Sequence, residues 1–129
     1  MKLAGCSTLC ERPILIVEDD VTLRTSLADL LTQQGYNVEC ASDGLEAYKR
    51  LCAVVAPPLV ILLDLMMPRL DGLEFQLLAR SLPSAVDVPI VVLTGSRDYA
   101  GAAAGLAKQV FHKPVNTARL LKTIRSLAS

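Results

Sequence analysis

Three short runs of unbroken apolar residues limit what this chain can become: Ile14-Leu15-Ile16-Val17, Leu59-Val60-Ile61-Leu62-Leu63 and Ile90-Val91-Val92-Leu93. A strand with one wet face alternates apolar and polar residues. A run without alternation must be covered on both faces, as strands of a parallel sheet are. Such short runs suit strands better than buried helices, which need ten or more residues. Tyr36 to Ala41 and Gln109 to Lys113 are weaker strand candidates.

Helical patterns lie between these runs. Leu23, Leu27, Leu30 and Leu31 fall on one face of the first, and Gly35 is placed to close it. Leu120, Leu121, Ile124 and Leu127 share a face in the last, with Asn116 placed to cap it. Strand and helix therefore alternate as five βα units. Right-handed crossovers wind such units into a doubly wound parallel α/β sheet with helices on both faces. Ligands of such sheets bind beyond the carboxyl ends of the strands.

The chain has 129 residues, 52% of them hydrophobic, enough for one domain with a real core. Thirteen basic residues balance thirteen acidic ones, which argues against a nucleic-acid binder. Residues 1–12 read as a polar N-terminal arm and 13–129 as the domain. Leu3-Ala4-Gly5-Cys6 has the look of a lipoprotein cleavage box, but five residues before Cys6 leave no room for the apolar stretch of a leader. No apolar run approaches the roughly 18 residues of a membrane span. The expectation is a soluble, cytoplasmic protein that does not contact membranes. Cys40 and Cys52 read as small buried hydrophobes, and Cys6 and Cys10 as exposed thiols, which suits a reducing compartment.

The strand ends carry the chemistry. The first ends in Glu18-Asp19-Asp20, the third in Asp64, the fourth in Thr94 and the fifth in Lys113-Pro114. With these strands adjacent, one rim gathers several carboxylates, a hydroxyl and an ammonium. Crowded carboxylates either take up protons or are neutralised by a cation. All-oxygen ligands favour magnesium or calcium, and an incomplete cage with room for phosphate favours magnesium. Lys113 and Thr94 would then meet phosphoryl oxygens, and Asp64 would act as the nucleophile that forms an aspartyl phosphate. Taken singly, each residue has a plainer reading: Asp20 as a helix cap, Lys113 as a solvated lysine, Thr94 as an ordinary strand residue.

Together these segments resemble the receiver domains of response regulators. The resemblance runs through Ile14-Leu15-Ile16-Val17-Glu18-Asp19-Asp20, Asp64-Leu65-Met66-Met67-Pro68-Arg69-Leu70-Asp71-Gly72, Pro89-Ile90-Val91-Val92-Leu93-Thr94 and Lys113-Pro114, and covers roughly residues 13–128. It implies a flavodoxin-like strand order, 2-1-3-4-5. It implies Asp64 as phosphoacceptor, and Mg2+ bound by Asp19, Asp64 and the Met66 carbonyl, with Glu18 acting mostly through a coordinated water. Thr94 and Lys113 would hold the phosphoryl oxygens, Gly95 would leave space for phosphate, and Lys113-Pro114 would be cis. The implied role is a two-component switch rather than an enzyme. It would be charged by a sensor histidine kinase or histidine phosphotransfer protein and would act by contact with a downstream protein, as a monomer or weak dimer.

Two features depart from the family pattern. The position three residues before the lysine, usually aromatic, is Val110; Phe111 beside it should point to the opposite face. The stretch from Thr94 to Lys113 is shorter than usual, and its run Gly101-Ala102-Ala103-Ala104-Gly105 predicts a short or loosely packed helix before the fifth strand. Phosphorylation chemistry is expected to be intact and the usual output route altered. A haloacid-dehalogenase-type phosphatase needs an Asp where Met66 stands, and a flavodoxin needs a phosphate-binding first loop where this chain is acidic. The serious rival is a pseudo-receiver, an interaction module independent of phosphate. A stand-alone regulator is favoured over a receiver portion of a larger regulator or hybrid kinase.

Overall fold

A computed structural model describes residues 12–53, 57–64, 72–83, 85–95 and 109–128. The five expected strands form as β1 (Ile14–Val17), β2 (Val38–Ala41), β3 (Val60–Asp64), β4 (Ile90–Thr94) and β5 (Gln109–His112). They make one parallel sheet in the order β2-β1-β3-β4-β5. Four helices are described: α1 (Val21–Gln33), α2 (Gly44–Ala53), α3 (Gly72–Arg80) and α4 (Thr117–Ala128).

The unbroken apolar runs are explained by two separate cores. Side chains alternate across a strand. Leu15, Val17, Ile61, Leu63, Ile90 and Val92 pack with Phe75 and Ala79 of α3 and Leu51 of α2. Ile14, Ile16, Val60, Leu62, Val91 and Leu93 pack with Leu27 and Leu31 of α1 and Leu120 and Ile124 of α4. Burial of each such Ile or Leu contributes about 1.5–3 kcal/mol. No residue of β1, β3 or β4 can therefore be polar until the strand reaches the rim.

Local signals fix the helix ends. The Asp20 carboxylate accepts from the Thr22 and Leu23 amides and caps α1. Gly35, at φ +92°, ends the same helix in the left-handed region that suits glycine. Asn116 caps α4 by accepting from the Arg119 amide at 3.0 Å. Arg80 holds the α3–β4 connection, its Nη1 reaching the Val86 and Val88 carbonyls at 3.0 Å each.

Some expectations need correction. Leu59 precedes β3, while β3 and β4 end where the sequence placed them, at Asp64 and Thr94, because pairing continues to the rim. Cys40 is half-buried and Cys52 exposed, so Cys52 is not a core residue; it lies on the solvent side of α2. Arg12, assigned to the arm, is tied to the body: its guanidinium donates to the Pro57 and Pro58 carbonyls at 2.8 and 2.9 Å. Cys6, Cys10, Met66 and the run 101–105 lie outside the described residues. Among those described, no helix is long and apolar enough to cross a membrane.

Candidate functional site

The parallel sheet places every strand's last residue on the same rim. Glu18 follows β1, and its amide still pairs with the Ala41 carbonyl of β2 at 3.1 Å. Asp64 ends β3 and Thr94 ends β4. Lys113 follows β5, tied to β4 by its amide, which donates to the Thr94 carbonyl at 2.8 Å. The Lys113–Pro114 bond is cis. Glu18, Asp64 and Thr94 are buried, Lys113 is half-buried and Asp19 is exposed.

The ammonium of Lys113 lies between two carboxylates, 3.2 Å from Glu18 Oε1 and 3.5 Å from Asp64 Oδ2. Glu18 is only 1% exposed. Burial, reinforced by the adjacent Asp64 carboxylate, pushes its carboxyl up to about 7 despite the counteracting Asp20 amide and Lys113. Partial burial pulls Lys113 down, but Asp64 and Glu18 outweigh it and the net shift is upward. Carboxyl oxygens of Glu18, Asp19 and Asp64 lie within 4.8 Å of one another. Three oxygen donors so close, one with raised proton affinity, suit a hard divalent cation. Beside Lys113, a groove of about 540 Å3 runs between Leu23, Leu27 and Leu30 of α1 and Pro114, Val115 and Thr117.

Glu18, Asp19, Asp64 and Lys113 thus lie together, with Thr94 joined to Lys113 through its backbone carbonyl; Met66 lies outside the described part. Among the described residues, a Cβ at Gly95 would meet no atom within 4 Å. Asp20 is turned to capping α1. Arg24 was missed: from the second turn of α1 its Nη1 donates to the Glu18 carbonyl at 2.7 Å. No spacing rule in the sequence links that arginine to the acidic pair.

The family model for the response regulator receiver domain matches residues 14–125. The chain belongs to that family. Response regulator MprA of Mycobacterium ulcerans (strain Agy99) is 41% identical over 117 residues, covering 88% of this receiver and 49% of that relative. The chain thus spans about half the length of the curated relatives it matches. Among solved structures, the chemotaxis protein CheY4 of Vibrio cholerae superposes with a TM-score of 0.80 at 30% identity, covering 90% of this chain and 98% of that one. The receiver domain of sensor histidine kinase PA1611 from Pseudomonas aeruginosa PAO1, solved with a magnesium ion in its active site cleft, gives 0.82 at 26% identity, covering 91% and 97%. Receiver domains of response regulators are signalling switches that work with histidine kinases and bind Mg2+ in an acidic site.

Proposed function

We propose that this receiver, residues 13–129 behind an arm at 1–12, is a phosphoacceptor switch charged on Asp64. The donor is a phosphohistidine of a sensor histidine kinase or histidine phosphotransfer protein. A carboxylate oxygen of Asp64 attacks phosphorus, the phosphorus–nitrogen bond breaks, and the departing imidazole keeps the electron pair and takes up a proton. Glu18, Asp19 and Asp64, with the Met66 carbonyl, hold Mg2+, which when bound neutralises charge on the phosphoryl oxygens. The Lys113 ammonium, already beside Asp64, and the Thr94 hydroxyl take the remaining oxygens. The phosphorylated receiver acts by contact with a protein target, in the cytoplasm, as a monomer or weak dimer.

The observation that carries this reading is the Lys113 ammonium set against both Glu18 and Asp64 at the ends of three separate strands. Burying two carboxylates with one lysine costs desolvation energy, and clusters of this kind concentrate at functional sites. Incubation with acetyl phosphate and Mg2+ should add one phosphoryl group by mass, and Asp64→Asn should abolish the addition. Labelling that survives Asp64→Asn, or that needs no divalent cation, overturns the assignment.

A further inference from the structure

One cation of the first helix grips the acidic turn without touching its carboxylates. Arg24 is half-buried, and its Nη1 donates to the Glu18 carbonyl at 2.7 Å, a short charge-assisted bond. Glu18 is then held from four directions. Its amide donates to Ala41, its carbonyl accepts from Arg24, Oε2 accepts from the Asp20 amide at 3.2 Å, and Oε1 meets Lys113. Asp20 is fixed in turn as the cap of α1. Asp19 lies between these two anchored residues and is exposed, so the direction of its carboxylate depends on how firmly the turn is held. The Glu18 carboxyl oxygens meet the Asp20 amide and Lys113, while the Arg24 bond is to the backbone carbonyl.

We propose that Arg24 is a positioning residue of the metal site: its bond to the Glu18 carbonyl fixes the turn from which Glu18 and Asp19 present their carboxylates to a divalent cation. The carbonyl belongs to the residue directly after β1, two positions before the cap of α1. Without a donor there, the turn keeps its cap at Asp20 and the Glu18 amide its bond to Ala41, but the Glu18 carbonyl loses its partner. The carboxylates then have to be ordered by the ion itself, which weakens binding. This rests on Glu18, Asp19 and Asp64 being the ligands.

Calorimetric titration with magnesium chloride tests it on the full chain, using Arg24→Met, Arg50→Met and Asp64→Asn beside the parent. Arg50 is the control, a half-buried arginine paired with Glu39 and Glu46 on the β2–α2 side, so its removal makes the same charge change away from the turn. Arg24→Met should bind Mg2+ about ten-fold more weakly, Arg50→Met within about two-fold of the parent, and Asp64→Asn not measurably. Arg24→Lys keeps the charge and shortens the reach; it should bind about three-fold more weakly, and it replaces Arg24→Met should that variant not fold. Parental affinity in both Arg24 variants, with binding lost in Asp64→Asn, overturns the role of Arg24 alone. Equal weakening in Arg50→Met also overturns it, because charge rather than position would then be responsible. Parental titration of Asp64→Asn overturns the metal site itself.

Discussion

Val110 and Phe111 are neighbours on β5 that face opposite covers of the sheet: Val110 packs with the cluster of Leu63, Phe75 and Val92, Phe111 with that of Leu93, Leu120 and Ile124. The Arg119 guanidinium lies 5.9 Å from the Phe111 ring centre, and the ring is buried. A ligand shifts a two-state equilibrium only through contacts that differ between the states. Val110 is too small to carry an aromatic rotamer change, and Phe111 is locked into the core on the other side. Beryllofluoride, a phosphoryl mimic, should therefore move the amide resonances of Thr94, Gly95 and the residues after them while the Phe111 ring resonances stay in place. Ring resonances of Phe111 that shift as far as the Thr94 amide would sink this account.

The pH dependence follows from Glu18. Its carboxyl is raised from 4.5 to about 7 by burial and by Asp64. Between those values the folded chain holds a proton that the unfolded chain has released, so metal-free stability falls as pH rises through that window. The raised Lys113 contributes stability that is complete below the ordinary lysine value and is lost as pH climbs past the folded one. Because Mg2+ competes with the Glu18 proton, its binding should tighten as pH rises through about 7. Urea midpoints across this range should decline without Mg2+ and level out with it, and Glu18→Gln should flatten the metal-free decline. Metal-free stability that climbs across the same window would contradict the buried, protonated state of Glu18.

Gln76 of α3 is 0% exposed, and neither atom of its amide meets a hydrogen-bond partner among the described residues. An unpaired buried polar group costs about 1–3 kcal/mol. Gln76→Met keeps the shape and removes the polar atoms, so it should stabilise the fold by about 1 kcal/mol or more. Denaturant unfolding measures this directly, and a destabilised variant would mean that the amide is satisfied in solution.

Arg12 bonds two carbonyls that lead into β3. Hydrogen bonds to a charged group contribute about 1.5–3 kcal/mol each before solvent screening, and this residue is only half-buried. Arg12→Ala should therefore lower stability by about 1–3 kcal/mol while leaving acetyl phosphate labelling of the folded protein unchanged. An unchanged melting temperature would place Arg12 with the arm after all.

Much of this was legible in the sequence because the rim and the core obey different rules. Two-sided burial forces β1, β3 and β4 to be wholly apolar, so the first polar residue after each run, Glu18, Asp64 or Thr94, announces itself. The caps at Asp20 and Asn116 and the turn at Gly35 were legible for the same reason, since each residue type answers a local backbone need. What the sequence hid are contacts set by tertiary reach. Arg24, Arg80 and Arg12 all bond backbone carbonyls, and a carbonyl leaves no trace in the residue type of its owner. Cys52 was misplaced because helical position alone does not say which way a lone small residue faces.

Glu18 and Lys113 meet at 3.2 Å although 95 positions separate them in the chain. A molecule leaving the ribosome displays Glu18, Asp19 and Asp64 long before it can supply the lysine. Until β5 docks beside β4, Glu18 and Asp64 lack the ammonium that offsets their repulsion. The acceptor pocket is thus complete only once β5 has joined the sheet. A donor that requires the lysine beside the aspartate reads only copies in which β5 has docked.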